Sequence, residues 1–260
     1  IKRTPLRLFI HISFEMKIVA IIPARSGSEG IKNKNSVLLD NYPLIAYSIV
    51  LAKMVPQIDR VIVSTDSKRY AEISKKFGAE VPFLRPAKLS GNKSSDYDFM
   101  LHAVKWFDKN SNLPEYFVHL RPTTPLRDPS IVKKAIDLMI SNKEATALRS
   151  SHLAPESPFK WFRINKKGFF TSLSGKDTNL DEYNSPRQNY PDVFIPNGYV
   201  DIVKSSVIKE QKLLHGNKVL AFQTPFCNEV DTIEELELIR YQLKTNGSKL
   251  TKKLKLITKK

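Results

Sequence analysis

A run of five apolar residues, Ile18-Val-Ala-Ile-Ile22, stops at Pro23 and gives way to a loop holding Arg25, Gly27, Ser28, Gly30, Lys32, Lys34 and Asn35. A short apolar run bounded by proline reads as a buried strand. A buried strand that feeds a small, basic, glycine-containing loop suits a phosphate-rich ligand. The glycines let backbone N–H groups approach the phosphates, and fixed cations neutralise them. The same residues also fit an ordinary strand-to-helix turn with solvated lysines.

Downstream, strand and helix signals alternate, which argues an α/β fold with a mostly parallel central sheet and helices on both faces. Pro43 to Met54 reads as a helix with proline in its first turn, and Arg60 to Ser64 as a short buried strand. Asp66 or Ser67 caps a helix on which Tyr70, Ile73 and Phe77 fall at helical spacing, and Gly78 ends it. Glu80 to Leu84 reads as an edge strand, because Pro82 cannot donate to a ladder. A helix over 96–109 turns Leu101, Val104 and Phe107 or Trp106 inward. Tyr116 to Leu120 is the next central strand, Pro129 to Ser141 a helix capped by Asp128, and Thr146 to Arg149 a further strand. From Ser150 to about Pro191 the alternation fails, and so long an irregular, aromatic-rich segment reads as a functional excursion. Strands resume at Val193–Val203 and Lys218–Gln223, and Thr232-Ile-Glu-Glu235 has the spacing of a capping box.

The 260 residues suffice for one large α/β domain. The lone cysteine, Cys227, excludes a disulfide framework within the chain and fits a reducing, cytoplasmic setting. No apolar run approaches the roughly 18 to 20 residues of a membrane span. A net charge of +16 points to an anionic partner, but residues 1–15 carry +2 and residues 244–260 carry +7, leaving +7 for the body. The tail over 246–260 reads as solvated and mobile, with weak, salt-sensitive adhesion to polyanions. The core needs to bind only small anions. Residues 1–15 lack a small-residue cleavage site and read as an upstream extension, with Met16 as the natural start.

Seven motifs recur in order: PARSGS-x-G-x-x-x-KN from Pro23, VSTDS at 63–67, LRPAKLS at 84–90, LRPTTPLRDP at 120–129, SPRQNYP at 185–191, PNG at 196–198 and EVDT at 229–232. Together they resemble the acylneuraminate cytidylyltransferases, also called CMP-sialic acid synthetases. The resemblance implies a Rossmann-like nucleotidyltransferase domain over 16–245 that couples CTP to the anomeric hydroxyl of a nonulosonic acid and releases pyrophosphate. It also implies a homodimer in which the 150–192 excursion reaches toward the partner's site. The nucleotide-binding set it implies is Ala24, Arg25, Ser26, Lys34, Asn35, Arg85, Ser94 and Asp96. Arg25 and Lys34 are aimed at the phosphates as the catalytic pair, since such transfer is mainly positioning plus electrostatics. Arg85 is placed near cytosine and ribose. Asp96 reads equally as a helix cap. Glu29 stands where many relatives carry lysine, which removes one cation.

For the sugar acid, the resemblance implies Arg121, Lys160, Arg187, Gln188 and Asn197. Arg121 ends a central strand, where ligands of open α/β sheets gather. Many sialic acid synthetases have glutamine there, and arginine suits a carboxylate or a different substituent. Arg127 in the same motif reads as structural. Lys160 and Arg187 are the candidates for the C1 carboxylate, which a bidentate arginine matches. Gln188 and Asn197 orient polar groups or loops. Ile195 replaces a second arginine before PNG, which favours a deoxy, diacylated acid such as legionaminic acid, with Arg121 supplying the missing contact. Glu229 and Asp231 alternate across one residue, so both can face one side, and they resemble the family's Mg²⁺ pair. Asp231 also reads as a cap for the helix at Thr232. Cys227 and the five histidines show no metal-ligand spacing, and His119 reads as a packed strand residue. No general base stands out. Two alternatives remain, a CMP-Kdo-type cytidylyltransferase and a non-enzymatic polyanion-binding protein.

Overall fold

The computed structural model describes residues 17–27, 30–173 and 179–258. The upstream extension and Glu29 lie outside the described residues. In chain order the elements are β1 (Ile18–Pro23), β2 (Leu38–Leu39), β3 (Tyr42–Pro43), α1 (Leu44–Lys53), β4 (Arg60–Ser64), α2 (Lys68–Lys76), α3 (Asp96–Lys109), β5 (Tyr116–His119) and α4 (Pro129–Ser141). There follow β6 (Ala147–Leu153), β7 (Phe162–Ile164), β8 (Phe170–Ser172), β9 (Phe194–Lys204), β10 (Val219–Gln223), α5 (Ile233–Asn246) and α6 (Lys249–Thr258). The main sheet runs β10-β6-β9-β5-β1-β4. β1 pairs in parallel with β4 and β5, and β10 with β6, while β9 is antiparallel to both neighbours. This is the mostly parallel sheet the alternation predicts, with one reversed strand inserted.

Side-chain alternation divides the core into two layers. Ile18, Ala20 and Ile22 of β1 pack with α1, α4, α5 and α6, whereas Val19 and Ile21 face α3 through Phe99, Ala103 and Phe107. Helix α1 is buried along Leu44–Ala52, which fits its nearly all-apolar sequence. Helix α3 buries one stripe, Phe99, Met100, Ala103, Val104 and Phe107, while Leu101 stays half-buried.

Three expectations change. Glu80 to Leu84 is not a strand: it makes two isolated parallel bridges, Ile62 with Glu80 and Thr65 with Leu84, on either side of Pro82. Ser67, not Asp66, caps α2. The basic tail folds. Leu250 and Leu254 are fully buried and Ile257 half-buried, on a helix packed against α1, while Lys252, Lys253 and Lys255 stay exposed. Apolar residues at i, i+4 and i+7 give α6 a buried face that its lysine content masks. Within the excursion, β7 and β8 form a separate antiparallel hairpin.

From β1 the chain steps to β4 on one side, then returns across β1 to β5 on the other. The loops after β1 and β5 therefore leave in opposite directions, and a crevice opens at the strands' carboxyl ends.

Candidate active site

A cleft of about 570 Å³ occupies that crevice, and Arg25, Lys34, Arg85 and Arg121 all line it. Its first wall is the loop after β1. Ala24 is fully buried and its N–H donates to the Ser64 carbonyl at 2.9 Å, so it extends the β1–β4 ladder. Arg25 turns into the cleft, with Nη1 donating to Asn92 Oδ1 at 2.5 Å. Ser26 does not line the cleft; its N–H and Oγ donate to the two oxygens of Asp66 at 2.8 and 2.5 Å, which ties the loop to the end of β4. Asn33 adopts φ 57° and starts a single tight turn, Lys34–Ser36. That turn points Lys34 Nζ at Asp231 Oδ1, 2.6 Å away, and buries Asn35, whose Nδ2 donates to the Arg25 carbonyl at 3.1 Å. Gly30 is required here, because a Cβ would lie 2.1 Å from the Asp231 carbonyl oxygen.

The second wall follows β4. Arg85 is buried; Nε donates to Ser64 Oγ at 3.1 Å, Nη2 to the Ser64 carbonyl at 2.6 Å, and the guanidinium lies 4.8 Å from the Phe99 ring centre. Burial pushes its pKa down to about 10, so it remains a cation at neutral pH. Ser94 lines the same wall and its Oγ donates to the Lys88 carbonyl at 3.4 Å. Ser95 caps α3 in a reciprocal box with Asp98, which leaves Asp96 in the first turn with its carboxylate in the cleft.

The floor comes from the loop after β5. Arg121 Nη2 donates to Asp96 Oδ2 at 2.7 Å and Nη1 to Asp201 Oδ2 at 2.9 Å. Arg121 therefore lines the cleft already paired with two carboxylates. Burial pushes the Asp96 pKa up, but the surrounding charges, Arg121 among them, hold it below the usual range. Arg127 is structural as expected: it is buried and donates to the carbonyls of Tyr199, Gly198 and Arg121 and to Ser48 Oγ. Thr123 accepts the Val230 N–H at 2.8 Å and so sets the acidic pair beside the floor. Thr232 caps α5 with Glu235, so Asp231 is not the cap and its carboxylate faces Lys34. Glu229 makes no hydrogen bond with any described residue, and burial pushes its carboxyl above the usual range. It crowds Gly198 (φ +59°), where a Cβ would lie 2.9 Å from Glu229 Oε1 and 3.6 Å from Arg121 Nη1.

The cleft does not gather the remaining candidates. Lys160 Nζ donates to the Ser185 carbonyl at 3.0 Å and Arg187 Nη2 to the Ala154 carbonyl at 2.8 Å, both within the excursion. Gln188 is exposed there. Asn197 is buried on β9; Nδ2 donates to Thr224 Oγ1 at 2.7 Å and Oδ1 accepts the Tyr199 N–H at 3.2 Å, so it shapes the strand. His119 is packed as expected, 5.3 Å from the Phe99 ring, and burial pushes its pKa down to about 3. Burial pushes the Cys227 thiol up to about 11, which keeps it unreactive. Among the described residues no three His, Cys, Asp or Glu side chains gather as a metal cluster. Sequence reasoning missed Asp66, Asn92 and Asp201 as partners of the site. An acid inside the apolar strand Tyr199-Val-Asp-Ile-Val203 is the one signal that could have found Asp201, since a buried carboxylate needs a cation.

The chain as a whole is similar to several known proteins. The N-acylneuraminate cytidylyltransferase of Escherichia coli is 31% identical over 237 residues, 90% of this chain and 54% of that protein, so this chain spans about half its length. The CMP-N,N'-diacetyllegionaminic acid synthase of Legionella pneumophila is 33% identical over 54% of this chain and 61% of its own length. The pseudaminic acid cytidylyltransferase of Campylobacter jejuni is 27% identical over 89% of this chain and 98% of its own. A solved CMP:2-keto-3-deoxy-manno-octonic acid synthetase with CTP shares the fold at a TM-score of 0.65 and 17% identity, over 88% of this chain and 99% of that one. Residues 19–189, from β1 through the excursion, match the cytidylyltransferase family, and the chain belongs to it.

Proposed function

We propose that the protein transfers CMP from CTP to the anomeric hydroxyl of a nonulosonic acid. The observation that carries this reading is the convergence of Arg25, Lys34 and Arg85 on one cleft at the carboxyl ends of β1 and β4. The names of three similar proteins, N-acylneuraminate, N,N'-diacetyllegionaminic acid and pseudaminic acid enzymes, support the acceptor class.

A triphosphate brings about four negative charges, and the cations that meet it must be fixed beforehand. Arg25 is held by Asn92, and Asn35 holds the loop that carries it. Arg85, clamped on Ser64 and Phe99, forms the wall for the nucleoside. Lys34, paired with Asp231, lines the same cleft and would exchange that carboxylate for a phosphate. The acceptor hydroxyl oxygen bonds to the α-phosphorus, the bond to the β-phosphate oxygen breaks, and pyrophosphate leaves. The hydroxyl proton passes to a carboxylate of the cleft or to solvent.

Glu229 and Asp231 fit Mg²⁺. Both are hard oxygen donors, and the half-buried Glu229 carboxylate makes no hydrogen bond with any described residue. Mg²⁺ binds through one or two carboxylates plus substrate phosphates and water, so two side chains suffice. When bound it supplies charge neutralisation and polarisation at the α-phosphoryl group.

The acceptor half is completed by a second copy of the chain. The excursion exposes Trp161, Ile164, Phe169 and Phe170, with 71% of Ile164 open to solvent, a patch that calls for a covering partner. Ile195, in place of an arginine, favours a deoxy, diacylated acid.

The test is pyrophosphate release from CTP with Mg²⁺ against N-acetylneuraminic, legionaminic, pseudaminic and Kdo acids. Release with one of the three nonulosonic acids, and not with ATP, GTP or UTP, is the expected result. Silence across the panel with CTP bound moves the acceptor elsewhere. Silence without CTP binding defeats the reading.

A further inference from the structure

The cations that line the cleft have partners of different kinds. Arg25 is held by Asn92 and Arg85 by Ser64, both neutral groups. Arg121 is held by Asp96 and by Asp201, whose side chain is 2% exposed and belongs to the fixed floor. Lys34 is different. Its Nζ donates at 2.6 Å to Oδ1 of Asp231, a residue 197 positions away that lines the same cleft. The lysine side chain is 12% exposed and the aspartate side chain 62%. The carboxylate is thus the open member of the pair. The ammonium beneath it is the member withheld from an incoming phosphate.

Both ends of this contact stand on fixed backbone. Lys34 opens the tight turn Lys34–Ser36, closed by the Val37 N–H on the Lys34 carbonyl at 3.1 Å. The N–H groups of Asp231 and Thr232 donate to Glu235 Oε2 at 2.7 and 2.8 Å. Gly30 lies against the Asp231 carbonyl, so the two loops also meet through backbone. The ion pair itself is what can open while both loops stay in place. A triphosphate taken by Lys34 alone leaves the Asp231 carboxylate facing like charge, and so does a divalent cation taken by Asp231 for the Lys34 ammonium. Only the two ligands together replace the pair on both sides.

We infer that the Lys34–Asp231 pair is an autoinhibitory latch of the empty site, which makes the nucleotide and its divalent cation bind as one unit. Two ligands that break the same contact are coupled, and the coupling is reciprocal. The inference deepens the proposed function, as the regulation of its phosphate site, and rests on it.

The experiment measures CTP binding to the full chain by calorimetry in EDTA, so that no divalent cation takes part. Asp231→Ala is expected to tighten CTP about threefold or more, because it frees Lys34. In a Lys34→Met background the same substitution gains no more than about twofold, since no latch is left to open. The reverse arm uses Mn²⁺ without nucleotide, read by the loss of the free-ion EPR signal. Lys34→Met tightens Mn²⁺ about threefold or more, and no more than about twofold in an Asp231→Ala background. Equal gains in both backgrounds reduce the effect to removal of a charge and overturn the proposal. So does an unchanged CTP affinity in Asp231→Ala, or an unchanged Mn²⁺ affinity in Lys34→Met. A wild type that binds CTP neither in EDTA nor with Mg²⁺ fails at the proposed function itself, a result read without any variant.

Discussion

The nucleotide wall and the excursion are built on opposite plans. In the wall, the candidate side chains are fixed by groups of neighbouring loops and strands: Ser26 by Asp66, Asn35 by the Arg25 carbonyl, Arg85 by Ser64. In the excursion, Lys160 and Arg187 bond to nearby backbone, while Trp161, Ile164, Phe169 and Phe170 face solvent. One region has its side chains fixed within a single copy of the chain, and the other exposes an apolar surface. The proposed function assigns phosphate transfer to the first region and the covering of the acceptor to the second.

Lys34→Ala tests the wall and has the largest expected effect. Removing a pre-aimed cation from a developing phosphoryl charge costs about 10²- to 10³-fold in turnover. Stopped-assay pyrophosphate release would show it, and wild-type rates would deny Lys34 a catalytic role. Ile164→Asp tests the excursion. It places a charge on the exposed hairpin, so light scattering should find single chains where the wild type gives pairs. Turnover should fall on the order of 10²-fold through a misplaced acceptor, with CTP affinity unchanged. A wild type that is monomeric and active, or a variant that loses CTP binding as well, would break the contrast between the regions.

The wall was legible in sequence because its determinants are local. An apolar run, a proline, glycines and closely spaced basic residues fix a strand and its loop within 18 positions, Ile18 to Asn35. Even there the bond from the Ala24 N–H to the Ser64 carbonyl was not legible, since it depends on the β1–β4 ladder. What was not legible depends on distant pairing. Arg121 meets Asp201, 80 residues away, only because β9 inserts in reverse between β5 and β6. Composition misled at the end of the chain, where seven lysines between residues 244 and 260 hid the spacing of Leu250, Leu254 and Ile257. The excursion's hairpin was missed because two strands of three residues leave too short a pattern.

Asp231→Asn probes the wall further, since Asp231 meets it through Lys34 and acts electrostatically on Glu229 beside the floor. Loss of one anionic oxygen should raise the Mg²⁺ concentration for half-maximal turnover on the order of tenfold. An unchanged metal titration would reduce Asp231 to the ion pair with Lys34.

Glu229→Gln has the smallest expected effect and separates function from stability within the wall. Burial raises the Glu229 pKa, Asp231 adds to the rise, and Arg121 opposes it. A carboxyl whose folded pKa is raised favours folding in its protonated form. That contribution is complete below the unfolded value of about 4.3 and is lost as the pH climbs through the folded value. At neutral pH the ionised group is therefore a cost to the empty protein, and glutamine removes it. The Tm of the ligand-free variant at pH 7 should equal or exceed that of wild type by about 1–2 °C, and the gain should vanish near pH 4. Its Mg²⁺ titration should nonetheless weaken. A drop of several degrees at pH 7 would mean that Glu229 supports the floor through Arg121, and that this part of the wall is held by the same charges that serve the reaction.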